Sequence, residues 1–151
     1  MKKRGIFLFV LVLLLVTGCG NKVKEVGSLD NFRYITTEKG LSVEDNMSSY
    51  TADYLKGALI AKNDDLTIEM VVYDTSDNAS KVQDGHVSSF ANMKSTNNVI
   101  KKDSGKNYYK YTMITNGYYL VTSRIDNTLI FTKTLLESKE MVDNILENMG
   151  Y

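Results

Sequence analysis

Residues 108–134 read YYKYTMITNGYYLVTSRIDNTLIFTKT, and the alternation of side chains along them is the clearest indication of the fold. Asn116-Gly117 is the residue pair that most favours the type I′ turn of a β-hairpin, and Asp126-Asn127 offers a second tight turn. Between these turns the sequence alternates with the two-residue period of a half-buried strand. The stretch therefore predicts a three-stranded antiparallel meander. The expected strands are Tyr108–Thr115, Tyr118–Ile125 and Thr128–Thr134.

A similar pattern lies earlier in the chain. Leu55–Lys62 is apolar, Asn63-Asp64-Asp65 has the composition of a turn, and the residues from Leu66 to Tyr73 alternate again. This layout predicts a second hairpin. Leu41–Asn46 and Asn98–Lys102 are expected to add further strands, which gives an antiparallel sheet of about five to seven strands.

Three segments have the 3.6-residue apolar period of amphipathic helices. Residues that favour helix starts and stops bracket each of them. Together with the strands they predict an α+β domain with an N-terminal, a middle and a C-terminal helix, covering one face of the sheet or split between two. The expected N-cap and end residues are Ser28 and Gly40, Ser76 and Met93, and Ser138 and Gly150.

Two stretches share one layout, which suggests an internal ββα repeat. Residues 58–82 and residues 119–142 each contain a strand, an acidic turn with Asn, a second strand, a polar capping segment and the start of a helix. A hairpin followed by a helix is also a common arrangement in unrelated chains, so the sequence leaves duplication open.

The N-terminus has a different character from the rest of the chain. A cationic start, Met1–Arg4, precedes an unbroken apolar run from Ile6 to Val16, and the chain's one cysteine, Cys19, follows two small residues. This order is that of a secretory signal peptide. A transmembrane helix is less well supported, because it needs about 20 apolar residues.

The end of this leader, Val16-Thr17-Gly18-Cys19, resembles the lipobox of bacterial lipoproteins. The resemblance implies cleavage before Cys19, a diacylglyceryl group on its sulfur, and anchoring on the outer face of the cell membrane by a covalent lipid instead of a cofactor. The expected organisation is a signal peptide (1–18), a lipidated cysteine with a short tether (19–27) and a single domain (28–151). A composition without Pro or Trp and rich in Asn, Lys and Ile suggests a low-GC Gram-positive source.

The charge balance limits the partners of the mature chain. The full sequence has 18 Lys+Arg and 18 Asp+Glu residues, so loss of Lys2, Lys3 and Arg4 with the leader leaves an excess of three carboxylates. A mildly acidic domain is a poor binder of nucleic acid. It also gains little from an anionic membrane surface.

Few residues suggest catalysis or metal binding. The chain has one histidine and no cysteine after Cys19, so no zinc site is expected. Asp74, Asp77 and Asn78 fit helix capping better than a calcium loop. His86 lies on the apolar stripe of the middle helix, where it is either a general base or pH sensor, or else a partly buried imidazole with a hydrogen-bonded partner or a boundary residue. We expect no enzymatic activity.

The predicted hairpin is unusually rich in tyrosine. Tyr109 and Tyr111 are expected on one face and Tyr108 on the other, while Tyr118 and Tyr119 also point to opposite faces. These five tyrosines are therefore a candidate binding face, since exposed tyrosine suits contact with protein or glycan. The alternative is packing, because tyrosine favours strands and cross-strand pairs.

Three functions remain open from the sequence. The first is a non-catalytic binding or accessory module that works with another cell-envelope protein. The second is a carrier of a small ligand or glycan that uses the sheet face. The third is an envelope enzyme with a site around His86.

Overall fold

The computed structural model describes residues 22–93 and 95–151, and the predicted signal peptide and Cys19 lie outside this part of the chain. Within it, three α-helices and one antiparallel sheet of seven strands confirm the predicted α+β class. The helices are α1 (Leu29–Glu38), α2 (Ser76–Ala91) and α3 (Lys139–Met149). The strands are β1 (Ser42–Asp45), β2 (Leu55–Lys62), β3 (Thr67–Tyr73), β4 (Val99–Ser104), β5 (Tyr108–Thr115), β6 (Tyr118–Ile125) and β7 (Thr128–Leu135).

The sheet is made of two meanders that meet at its centre. Its strand order is β1-β2-β3-β7-β6-β5-β4, and every neighbouring pair is antiparallel. The two meanders join where β3 pairs with β7, with Met70 opposite Ile130. β1 and β4 are consequently the two edge strands.

The predicted hairpin turn has the expected backbone. Asn116 and Gly117 have φ values of 50° and 79°, as a type I′ turn requires. Strands β5 and β6 pair without a register shift, from Thr115 opposite Tyr118 to Tyr108 opposite Ile125. The turn residues therefore set the register of β5 and β6.

The helices are split between the two faces of the sheet. We call the side covered by α1 and α3 the front face, where Phe32 and Ile145 are fully buried in the main core. We call the side covered by α2 the back face, where Ala79 and Phe90 pack in two smaller clusters. Gln83 on α2 is 2% exposed, and its amide donates to the Tyr109 carbonyl at 2.8 Å.

This arrangement bears on the suggested ββα repeat. The order strand, strand, helix occurs in β2-β3-α2 and in β6-β7-α3. However, α2 packs on the back face and α3 on the front face. The two units share their element order and not their packing.

Two of the expected helix caps need correction. Ser28 caps α1 as predicted, because its side chain accepts from the Asn31 N–H. Helix α2 is capped by Thr75 and not by Ser76, which is already helical. At α3, Ser138 stands at the N-cap position without capping, and its hydroxyl instead donates to the Asp65 carbonyl at 3.3 Å.

Residues 22–27, expected to be a tether, lie on the domain surface. The Lys106 N–H donates to the Lys22 carbonyl at 2.9 Å. Asn107 binds Lys24 twice, accepting from its N–H at 2.9 Å and donating to its carbonyl at 2.8 Å. The folded unit therefore begins at least six residues before the boundary expected at residue 28. No helix in the described part of the chain is long and apolar enough to cross a membrane.

Candidate functional site

The front face is incompletely covered at its β4 end, where a groove of about 690 Å³ lies between α3 and strands β4 and β5. We call it the β4–α3 groove. All six residues of β4 are exposed, and Val99 keeps 51% of its surface accessible. The groove thus exists because α3 packs over the centre of the sheet and leaves the outer two strands open.

The floor of the groove follows from strand register. Residues directly opposite each other in an antiparallel pair project to the same side of the sheet. One such row runs along β4 and β5 on the front face and mixes apolar, hydroxyl and charged side chains. The opposed pairs are Val99 with Ile114, Lys101 with Thr112, and Asp103 with Lys110.

The opposite wall is a charged stripe on α3. Lys139, Asp143 and Glu147 are spaced four residues apart and line the groove together. Tyr119 on β6 donates a 2.6 Å hydrogen bond to one oxygen of Asp143, and Lys139 forms an ion pair with the other oxygen. The wall is therefore tied to the floor at the middle of the stripe.

These contacts determine the protonation states of Asp143 and Tyr119. Burial alone would raise the pKa of Asp143, but hydrogen bonds from Lys139 and Tyr119 outweigh it, so its pKa is lowered. Burial and the hydrogen bond to Asp143 raise the pKa of Tyr119. At neutral pH the carboxylate is charged and the phenol is a donor.

Lys110 is a partly enclosed cation on the floor of the groove. Its side chain is partly buried on β5, and its ammonium group donates to the main-chain oxygen of Tyr151 at 3.4 Å. Burial lowers the pKa of Lys110; Asp143 and Asp103 raise it, while Lys24 and Lys139 lower it further. Its ammonium group is thus held in a partly desolvated place near both carboxylates and other cations.

Lysine is the commonest residue type around the groove, which is lined by five lysines and three carboxylates. Lys24 places its ammonium group 4.6 Å from the centre of the Tyr108 ring, and Lys102 places its own 5.7 Å from the centre of the Tyr111 ring on the back face. Among the groove lysines, and within the described part of the chain, only Lys139 has an Asp or Glu carboxylate within 4.0 Å.

The five predicted tyrosines do not form one exposed surface. Tyr108 and Tyr119 project to the front face, whereas Tyr109, Tyr111 and Tyr118 project to the back face. Tyr108, Tyr111 and Tyr119 are 3–4% exposed, and Tyr118 is 38% exposed. This burial favours the packing alternative for three of them. Tyr119 is also the one that lines the groove.

His86 is a residue of α2, and its ring packs against the back face of the sheet, on the opposite side from the groove. Its Nδ1 is 3.4 Å from the Thr122 hydroxyl, and its ring centre is 4.1 Å from that of Phe131. Burial lowers the pKa of His86 to about 4. These contacts are those of a neutral, partly buried imidazole, which is the second interpretation drawn from the sequence.

The described residues contain no cluster of three or more His, Cys, Asp or Glu side chains arranged for a metal ion. Asp74, considered as a calcium ligand, instead accepts from the Asn78 side chain at 2.8 Å. Thr75 accepts from the Asn78 N–H. This group stands at the start of α2 and stabilises it.

Sequence reasoning did not find the groove. The alternation of Val99, Lys101 and Asp103 along β4 is visible in the sequence, and so is the four-residue spacing on α3. Each pattern by itself is that of a solvated edge strand or helix face. Their juxtaposition depends on which face α3 covers, which the sequence left open.

Comparison with known proteins assigns no family. No protein-family model matches the sequence, and no curated protein matches it. Among solved structures, the crystal structure of a GTP binding regulator from Thermotoga maritima is similar to this chain, with a TM-score of 0.46 and 15% identity over 82% of this chain and 87% of that one. A similarity at this level says nothing about the function of this chain.

Proposed function

We propose that the protein is a lipid-anchored module on the outer face of the cell membrane that holds a small ligand in the β4–α3 groove without transforming it. The observation that carries the binding role is the groove itself. Its volume of about 690 Å³ lies within the range of roughly 300–1,000 Å³ typical of small-molecule sites.

The chemistry of the lining also suits binding. Val99 and Ile114 offer apolar surface at one end of the floor, and Thr112 and Lys110 offer polar groups further along β5. Ligand sites typically combine apolar walls with a few convergent polar groups that orient the ligand.

Support for the anchor comes from the sequence at Val16–Cys19, which resembles a lipobox. Lys22 is held against the turn between β4 and β5, and the three residues from Cys19 to Lys22 span at most about 11 Å. A lipid on Cys19 would therefore hold the β4–β5 end of the domain, and the groove beside it, close to the headgroups.

A non-catalytic role agrees with the state of the groove residues. A general acid or base works best with a pKa near the operating pH. The pKa of Asp143 is lowered and that of Tyr119 is raised, so both move away from neutrality.

A second candidate is an envelope protein that docks at the same place. β4 is an edge strand, and Val99 and Ile100 keep 51% and 38% of their surfaces exposed. An exposed edge can accept a strand from a partner. Lys101 and Lys102 interrupt this edge, which is how natural proteins discourage such pairing, so we place this candidate second.

In-cell crosslinking tests both candidates. A photoreactive residue replaces Val99 in the groove or, as a control, Lys81, an exposed residue of α2, and the adducts are identified by mass spectrometry. We expect a small-molecule adduct at position 99 and none at position 81. A protein adduct at position 99 would favour the second candidate, and no adduct there would contradict both.

The anchor is tested in the same cells. The native chain is expected in the membrane fraction with a diacylglyceryl group on Cys19, and the Cys19→Ala chain is expected without that lipid. An unmodified Cys19 in the native protein would contradict the anchored part of the proposal.

A further inference from the structure

The lysines of the groove point to the chemical class of its ligand. Building on the proposed function, we infer that the β4–α3 groove binds a phosphate-bearing anion, with Lys101 and Lys110 on the floor as its partners. The phosphate group is the recognised chemistry, whether it is part of a soluble phosphate ester or of a lipid headgroup.

The lysines are placed to converge on one group. Lys101 and Lys110 stand on neighbouring strands, with Lys101 opposite Thr112 and therefore diagonal to Lys110. Diagonal side chains of this kind have their Cβ atoms about 7–8 Å apart, which two lysine side chains bridge easily. Lys139 reaches the same space from α3.

The carboxylates of the groove leave the ammonium groups of Lys101 and Lys110 largely available. Asp143 is already held by Tyr119 and Lys139. Asp103 accepts from the Tyr108 hydroxyl at 3.2 Å, and Glu147 is exposed on the α3 wall. The acidic side chains therefore satisfy tyrosine and Lys139, and the cations of the floor remain for a ligand.

Lys110 gives the most specific argument. The partly buried ammonium group of Lys110 has one long contact, 3.4 Å to an oxygen of Tyr151, and no Asp or Glu side chain of the described residues lies within 4.0 Å of it. An oxyanion in the groove would supply a charge-assisted hydrogen bond. A neutral ligand would not compensate the charge.

The distribution of charge adds independent support. Lys22 and Lys106 lie together beside the groove, so with the five lining lysines this end of the domain carries seven of the fifteen Lys and Arg residues that follow the leader. The net charge of the mature chain does not show this uneven distribution of lysines. Asp103, Asp143 and Glu147 line the same groove, so its lining side chains have an excess of two lysines over carboxylates.

The test measures binding by calorimetry, using the full chain purified in non-ionic detergent. The probes are sn-glycerol 3-phosphate and dihexanoyl phosphatidylglycerol below its micelle concentration, with glycerol and dihexanoylglycerol as the matched controls that lack the phosphate. We expect at least one anionic probe to bind and both controls to fail. Binding of both anions indicates recognition of the phosphate alone, and binding of the lipid alone indicates a headgroup.

Variants locate the site. Lys101→Gln and Lys110→Gln are each expected to weaken binding about tenfold, as loss of a charge-assisted contact implies. Lys81→Gln makes the same charge change on the back face and should leave binding within about twofold, because it removes a distant charge that salt screens. Lys101 is exposed, so its variant is expected to fold even if Lys110→Gln does not.

Some results would overturn the inference. Failure of both anions to bind would do so, and so would equal weakening by Lys81→Gln, since that indicates non-specific attraction. If a neutral adduct forms at position 99 while no anion binds, the ligand-binding proposal stands and the phosphate inference fails. If neither adduct nor binding is found, both fail.

Discussion

Tyr119 on β6 and Asp143 on α3 are joined by a 2.6 Å hydrogen bond that links the sheet to the last helix. The other oxygen of Asp143 pairs with Lys139, one turn earlier on the same helix. The Tyr119 ring is otherwise buried in the main core. The Tyr119 side chain therefore belongs both to the core and to the lining of the β4–α3 groove.

Replacing Tyr119 by Phe isolates this bond. We expect Tyr119→Phe to lower the free energy of unfolding by about 1 kcal/mol, since a hydrogen bond to a charged group contributes at least this much. The measurement is urea denaturation at pH 7. Tyr118→Phe is the matched control, because Tyr118 is 38% exposed, and a loss of equal size there would contradict the assignment.

The same variant should alter acid stability. The pKa of Asp143 is lowered in the folded protein, so the carboxylate stabilises the fold above its ordinary pKa of about 3.9 and this contribution is lost as the pH falls through the folded value. Because Tyr119 contributes to that lowering, Tyr119→Phe should lose less stability on acidification. Carboxyl carbon NMR would report the shifted titration of Asp143 directly.

His86 gives a separate pH dependence. Its pKa is lowered to about 4 by burial, whereas the unfolded chain has a value of about 6.5. The unfolded state binds more protons between these values, so stability is complete above about pH 6.5 and falls as the pH drops towards 4. Allowing for its partial exposure, the loss between pH 7 and pH 5 is about 1–2 kcal/mol.

His86→Gln should remove that component. The variant keeps a polar group near Thr122 and cannot become charged, so its stability should change less between pH 7 and pH 5 than that of the native protein. Thermal unfolding at several pH values between these limits measures the difference. An unchanged pH dependence would contradict the buried, neutral imidazole.

The hairpins and helices were predictable because their signals are local. Asn116-Gly117 specifies its own turn through positive φ values, and Ser28 caps α1 through a contact three residues away. The caps at Ser76 and Ser138 were wrong for related reasons. Thr75 is an equally good cap one residue earlier, and the Ser138 hydroxyl is taken by Asp65, far away in sequence.

The groove was not predictable because nothing local encodes it. Lys101 and Lys139 are on different elements, and they face the same space only because α3 covers the front face while α2 covers the back. The docking of residues 22–27 likewise rests on Asn107, whose contacts with Lys24 span 83 positions. The burial of the tyrosines could not be predicted either, because it depends on which faces the helices cover. Helices on both faces leave few positions of the sheet exposed.

Variants of Tyr111 and Tyr118 test which tyrosines of the hairpin belong to the core and which are exposed. Tyr111 is 3% exposed and packs with Phe90, Met113 and Leu120, so Tyr111→Ser should cost about 3 kcal/mol or more, as removal of a buried ring does. Tyr118→Ser should cost under about 0.5 kcal/mol, as is usual at the surface. Urea denaturation of both variants checks this, and comparable losses would contradict the assigned burial.

Two glycines should respond in opposite directions to alanine. Gly85 lies inside α2 with open space around its Cα, so Gly85→Ala should raise the free energy of unfolding by about 0.5–1 kcal/mol. Gly117 has a φ of +79°, so Gly117→Ala should lower it by about 1 kcal/mol. A stabilising Gly117→Ala would contradict the type I′ turn.

Asn107 should control how firmly the chain beyond Cys19 is held to the domain. Its side chain bonds Lys24 twice and also donates to Asp126 at 2.9 Å. In Asn107→Ala we expect the Lys24 amide to exchange with solvent faster by about tenfold or more, since loss of a hydrogen bond worth about 1 kcal/mol or more raises local opening accordingly. The Thr122 amide in the central sheet should keep its native rate as an internal control. If Lys24 exchanges equally fast in both proteins, residues 22–27 do not rest on Asn107, and the groove would not be held near the membrane by this segment.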